Sequence, residues 1–387
     1  MDFDPQWLLW LALGLGGGGF VLGWLASRLD ARQYRRERQE SPKVYYKGLN
    51  LLLNEQHDKA IDAFIEAVQQ DPDTSDLHFA LGNLFRRRGE YERAVRVHEH
   101  LLNRADLPKS ERVRAQYALA QDFMKAGLFD RAESAYRALE GTPFATEARL
   151  ALLSLLERSR DWRAAIEVAL QLEQAGTASF AGRIAHYWCE VAIEADASGQ
   201  TETADDAIAR AREASPLAAR PLIVAGQRAL QRNEPAQALQ FWGGLMATQP
   251  AAFNLVARDY ATAAATAGEA GSARERLLGQ YRRAPTLDLL EAIAALDADA
   301  SNRRTRLLAH LRSHPSLSAA QALLQDGGAA LLGDVESTAL RDAVQRAARP
   351  LHRYRCAACG FEAEHYFWQC PGCLGWDTYP PQRLEEL

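Results

Sequence analysis

The chain has 387 residues with 45 Lys+Arg against 50 Asp+Glu, a net charge of −5. That balance gives no reason to expect a nucleic-acid surface, and the length alone admits two or three ordinary domains. A content of 48% hydrophobic residues, rich in Ala and Leu with few β-branched runs, points to an almost entirely helical protein.

The first element is Trp7–Ala26, WLLWLALGLGGGGFVLGWLA, an uncharged run. At about 1.5 Å per residue its twenty residues reach across the roughly 30 Å hydrocarbon core. Trp7, Trp10 and Trp24 lie toward its ends, where amphipathic rings favour the interface. Asp2 and Asp4 precede it, whereas Arg28, Arg32, Arg35, Arg36, Arg38 and Lys43 follow. That asymmetry predicts a single-pass anchor with the N-terminus outside and the bulk of the chain in the cytoplasm. A cleaved signal peptide would carry its positive charge before the apolar run, not after it. The glycines formally match a dinucleotide fingerprint, but no βαβ pattern follows and the phosphates would lie within the membrane. Gly14/Gly18 and Gly19/Gly23 instead form small-xxx-small pairs that would let another transmembrane helix approach, unless they are merely tolerated. The basic stretch 28–43 reads as a juxtamembrane segment attracted to anionic headgroups or as a solvated helical spacer.

Next comes a repeat. Lys47–Asn54 and Lys59–Gln70 are two amphipathic runs around a polar turn, closed by Pro72, and such a helix pair cannot bury its apolar face without neighbours. An alanine in the second helix recurs at Ala60, Ala94, Ala132, Ala165, Ala204, Ala238 and Ala273, at intervals of 34, 38, 33, 39, 34 and 35. Four residues after it stand Phe64, His98, Tyr136, Ala169, Ile208, Trp242 and Leu277. Twelve before it stand Gly48, Gly82, Ala120, Ala192, Gly226 and Ala261, with Leu153 as the exception in the fourth and weakest copy. This resembles the tetratricopeptide repeat family, in which stacked helix pairs build a superhelix with a groove lined by the first helix of each pair. The resemblance implies a peptide- or helix-binding surface, with Phe79, Asn83 and Arg86 presented by the second repeat and Tyr117, Gln121 and Met124 by the third. Asn83 stands where a backbone-binding side chain would. No catalytic constellation is visible: no grouped Ser, His and Asp, no His-Glu-x-x-His and no P-loop. The histidines read as surface or packing groups, and Cys189 as a small buried hydrophobe.

After Pro285 the pattern weakens. Leu287–Leu296 with Arg303–His314, and Leu317–Leu324 with Val335–Ala348, form two further pairs that cap the array or bridge to the tail. The tail carries Cys356-Ala-Ala-Cys359 and Cys370-Pro-Gly-Cys373, a C-x2-C-x10-C-x2-C pattern. Each pair on a tight turn aims two thiolates at one point, and two turns complete a tetrahedron of sulfur for one metal ion. Zinc is the default in a closed four-thiolate site and iron the alternative; a disulfide is disfavoured in a reducing cytoplasm. The flanking residues resemble a rubredoxin-like or zinc-ribbon knuckle. The insert is shorter than in a rubredoxin, and Leu374 replaces the glycine expected after the last ligand, which weighs against electron transfer by iron.

The fold class expected is therefore all-α: a single N-terminal transmembrane helix, a tetratricopeptide superhelix and a small four-cysteine knuckle. The parts run as an anchor over residues 1–27, the basic segment 28–43, about seven repeats over 44–285, degenerate or capping helices over 286–350, and the metal-binding tail over 351–387. In that order they resemble the lipopolysaccharide assembly protein B family of Gram-negative bacteria over the whole chain. The resemblance implies a non-enzymatic inner-membrane adaptor, N-terminus periplasmic, that brings the deacetylase of the lipid A pathway to the FtsH protease. It also implies contact with other inner-membrane lipopolysaccharide assembly proteins, and leaves a homo-oligomer open. A scaffold that organises biosynthetic complexes without proteolysis and a redox-active iron protein stay as alternatives.

Overall fold

The computed structural model describes residues 46–387 apart from 52, 72–73, 298–299 and 326–333. The expected anchor, with Trp7, Gly14, Gly18, Gly19, Gly23 and Trp24, and the basic segment 28–43 lie outside the described residues. Among the described residues no helix is long and apolar enough to cross a membrane. The chain forms two compact units, one up to Ser159 and one over Arg160–Leu387.

The first unit stacks helix pairs in chain order. A helix over 46–51 precedes His57–Gln70, Ser75–Arg87 precedes Tyr91–Asn103, and Lys109–Ala126 precedes Phe129–Arg137; Ala145–Ser159 ends the unit. The second unit opens on Trp162–Gln174 and continues through the pairs Ala181–Ala197 with Thr201–Ala214 and Ala219–Gln231 with Pro235–Thr248. Pro250–Phe253 runs through a short 3-10 turn into Ala257–Thr266, which pairs with Ala270–Arg283. The pairs Leu287–Ala295 with Ala300–Ser313 and Leu317–Gln325 with Asp334–Ala348 follow, then the small tail. The first helix of each pair is called the A helix below.

The repeat frame has a packing cause. All seven register alanines are buried, with none above 1% exposure, because the second helix needs a methyl-sized side chain where helices cross. The residues four positions on fill the space between paired helices, and the small residue on the A helix makes room for them. A β-carbon placed on Gly48 would lie 2.9 Å from the Phe64 ring, and one on Gly82 or Gly226 would overlap the His98 imidazole or the Trp242 indole. Trp242 is wholly buried and donates its indole N–H to the Ile223 carbonyl at 3.3 Å, so the ring cannot swing aside. Gly226→Ala is expected to destabilise the protein by about 1–3 kcal/mol, the range for overpacking a tight core. A urea midpoint equal to that of the unmodified chain would show instead that the two helices slide apart freely.

Each turn between paired helices shares a further feature. The residue five before the register alanine adopts a left-handed backbone in every copy: Glu55, Gly89, Gly127, Arg160, Gly199, Asn233 and Gly268 have φ between 57° and 80°. The next residue returns its N–H to the A helix five positions back, as in Gln56 to Leu51, Leu128 to Phe123, Gln200 to Ala195 and Glu269 to Ala264, at 2.8–2.9 Å. This left-handed C-cap satisfies the end of the A helix and fixes how the second helix leaves it.

Candidate metal centre and partner-binding face

The tail begins with a two-stranded antiparallel ladder in which Tyr354 pairs with Ala363 and Arg355 with Glu362. This ladder presents the first cysteine pair. The two pairs sit on separate turns of the same type: the Cys356 and Cys370 amides donate to the Phe361 and Gly375 carbonyls, and the Gly360 and Leu374 amides return to the Cys356 and Cys370 carbonyls, all at 2.8–2.9 Å. The residue after the second cysteine of each turn is left-handed, Gly360 at φ 77° and Leu374 at φ 60°. The departure at Leu374 thus keeps the glycine conformation with a side chain in it. Leu374→Gly is expected to stabilise the loaded protein by about 1 kcal/mol, since the αL penalty is removed; a lower melting temperature would mean that the exposed leucine packs against something in solution.

The two turns bring the four sulfurs within 4.8 Å of one another. Cys356 Sγ lies 3.8 Å from Cys373 Sγ, and Cys359 Sγ lies 3.6 Å from Cys370 Sγ. A tetrahedral ion with metal–sulfur bonds of about 2.3 Å requires sulfur separations of about 3.8 Å, so the cysteines fit one four-coordinate metal. Cys356 and Cys370 are buried and Cys359 and Cys373 exposed, which leaves one edge of the centre open to solvent. The Thr378 hydroxyl beside Cys356 lowers its thiol, the direction a metal ligand needs, while burial and the neighbouring thiols raise that of Cys359. By contrast, burial pushes the remote Cys189 thiol up to about 12, the behaviour of an inert core residue.

The tail is built onto the second unit. Trp376 stacks on His186 with centroids 4.7 Å apart and meets Trp162 and Tyr187 edge-on, while Asp377 accepts from His186 Nε2 at 2.8 Å. Arg383 pairs with Asp288 at 3.4 Å and donates to the His352 carbonyl at 2.9 Å. Glu386 accepts from the Leu287 amide at 3.0 Å, and Glu385 accepts from the Leu317 and Ser318 amides and the Ser318 hydroxyl. Both glutamates therefore cap the first turns of A helices, where unpaired N–H groups and the helix dipole favour a carboxylate. Sequence reading missed these caps because it had no reason to bring residues 67 and 99 positions apart together. The two pairs after Pro285 thus serve as the tail's seat.

In the first unit the expected partner-binding residues divide. Phe79 is 2% exposed, lies under the Arg114 guanidinium at 4.0 Å and belongs to the core, which corrects its assignment to the groove. Arg86 is also engaged internally: it donates to Asp122 Oδ1 at 2.7 Å, to the Ala118 carbonyl at 3.1 Å and to the Asn83 side-chain oxygen. Asp122 and His98 are fully buried, with Asp122 Oδ2 bonded to His98 Nδ1. Arg86 is therefore a tie between repeats, and it holds the side-chain oxygen of the half-buried Asn83. Asn83 borders an apolar pocket of about 160 Å³ with Leu49, Phe64, Ala80, Leu84 and Arg87. Tyr117 is half-buried, stacked on Phe144 at 5.0 Å and edge-on to Tyr136, and Gln121 and Met124 are half-buried on the same helix.

Repeats and centre together define a tetratricopeptide-repeat protein with a C-terminal rubredoxin-type metal module. The family model described as tetratricopeptide repeat matches residues 45–97 and 117–179, and that described as rubredoxin metal binding domain matches residues 354–381. Lipopolysaccharide assembly protein B of Escherichia coli strain K12 is 31% identical over 372 residues, covering 93% of this chain and 95% of that protein. The Haemophilus influenzae protein of that name is 25% identical over 98% of this chain and 99% of its own length. The chain belongs to the lipopolysaccharide assembly protein B family. Among solved structures, a Naa15/Naa10 complex bound to HypK-THB aligns with a TM-score of 0.42 at 15% identity, covering 80% of this chain and 51% of that one. A tetratricopeptide repeat protein from Parabacteroides merdae aligns with a TM-score of 0.34 at 14% identity, covering 67% and 99%.

Proposed function

We propose that this chain is a non-enzymatic adaptor of the inner membrane that regulates lipopolysaccharide assembly by presenting the deacetylase of the lipid A pathway to the FtsH protease. The observation that carries the reading is the family relationship, which spans repeats and metal tail alike over 95% of the Escherichia coli relative. An array of helix pairs with the half-buried Asn83 beside an apolar pocket supports the holding of a protein segment rather than chemistry on a small molecule. In this reading Trp7–Ala26 anchors the chain with its N-terminus in the periplasm, Gly14, Gly18, Gly19 and Gly23 receive a neighbouring membrane helix, and the four thiolates hold zinc. Anchoring raises the effective concentration of protease and client at one surface.

The test is the lifetime of the deacetylase in cells with the protein present and with it depleted. A longer lifetime on depletion, reproduced when the repeats are supplied without residues 1–26, supports the adaptor. An unchanged lifetime with altered assembly of the biosynthetic complexes would establish the scaffold alternative instead. Elemental analysis of the purified protein separates colourless zinc from coloured iron.

A further inference from the structure

The tail lies along four A helices of the second unit, through His186, Arg220, Asp288 and Ser318, and along the 3-10 turn before a fifth, through Leu255. That is the face on which a tetratricopeptide array receives its ligands. The tail's chemistry there is that of a bound segment. Trp368 and Trp376 enter beside Arg220, with both ring centroids 5.9 Å from the guanidinium carbon, while Asp377, Glu385 and Glu386 meet a histidine and two helix N-termini. The seat is not fully satisfied by this occupant. His186 is 2% and Arg220 6% exposed, yet His186 Nδ1 and Arg220 Nε are buried without a hydrogen-bond partner. Arg220 Nη2 reaches Glu190 at 2.6 Å, so part of its charge is answered from its own array.

We infer that the tail is a metal-dependent lid: with four thiolates ligated it covers this face, and without the metal it leaves, baring a surface for a partner segment that carries aromatic and acidic side chains. Trp376 and Asp377 follow the last ligand, Cys373, by three and four residues, and the turn that aims them is the one the metal closes. Without the ion the two turns keep a few hydrogen bonds, such as Ala357 N–H to the Thr378 carbonyl at 2.8 Å and the Tyr379 hydroxyl to the Phe361 carbonyl, but lose the four bonds that converge on one point, and the segment from Trp376 to Glu386 loses its firmest hold. An incoming acidic segment could use the two buried nitrogens that the tail leaves unpaired. The inference rests on the metal assignment, not on which client the protein serves.

Hydrogen exchange on the full chain tests it. On removing the metal with a chelator, the amides of Leu287, Leu317 and Ser318 should exchange at least about tenfold faster, amides within Tyr91–Asn103 should be unchanged, and added zinc should restore protection. Glu385→Gln combined with Glu386→Gln should speed the same amides while the metal stays bound. Unchanged protection after metal removal overturns the lid, as does loss of the helical circular dichroism signal, since the tail would then be part of the array's core. The bared face is probed with a labelled peptide of residues 376–387. It should bind the metal-free chain at least about tenfold more tightly than the zinc-loaded one. Equal binding overturns the gating, and binding to neither overturns the partner chemistry.

Discussion

Cys370→Ser and Cys356→Ser are each expected to lose the bound metal and to render the tail sensitive to protease. Both sulfurs are buried in the knuckle, so a hydroxyl there replaces a ligand that no other side chain can supply. Structural four-ligand zinc contributes about 10–16 kcal/mol of apparent folding energy in small domains. The tail's apolar cluster, made of Tyr354, Tyr379 and the two buried cysteines with Leu255, Ala363 and Tyr366 against it, is too small to replace that. Metal content by elemental analysis and limited proteolysis report the outcome together. A variant that stays loaded and resistant would refute the four-thiolate centre.

Asp122→Ala should lower the unfolding free energy by about 3–5 kcal/mol, the range for removing one partner of a buried charged cluster. Its two oxygens answer Arg86 and His98, and His98 has no alternative acceptor because its other nitrogen, Nε2, faces Gly82 and is itself unpartnered. Arg86, with 18% of its side chain exposed, would be left with only the Ala118 carbonyl and Asn83. Denaturant unfolding gives the value; a loss below about 1 kcal/mol would mean that water reaches the site and replaces the carboxylate. The variant also bears on recognition, because Arg86, which holds the Asn83 side-chain oxygen, would lose the carboxylate that fixes it.

The helical class, the seven-fold frame and the four ligands were legible because each depends on spacing alone. A small residue twelve before and a bulky one four after a buried alanine is a statement about two adjacent helices, and the cysteine pairs state their own turns. The left-handed turn was legible in principle, since glycine stands there in four copies, but Glu55, Arg160 and Asn233 hide it. The burial of Phe79 and the internal ties of Arg86 were hidden for a different reason. A position that faces inward in an idealised repeat is covered when a neighbouring repeat supplies Arg114 above one and Asp122 beside the other. Such long-range pairings, like the seating of Glu385 and Glu386, depend on residues tens of positions away and leave no local trace.

The constant geometry of the paired-helix turns has a practical corollary. From the small residue to the bulky one the frame holds seventeen positions without insertion in every copy, so the longer intervals of 38 and 39 come from the connection to the next pair. Each repeat thus has one rigid joint and one elastic joint. A tag, a fluorescent label or a protease site placed at 104–106 would be absorbed by an elastic joint, whereas the same insertion at 127–128 would rotate one helix about its axis and unseat the helix of the first unit that follows it. Natural variants of this array should accordingly differ in length at one kind of joint and in side-chain volume at the other.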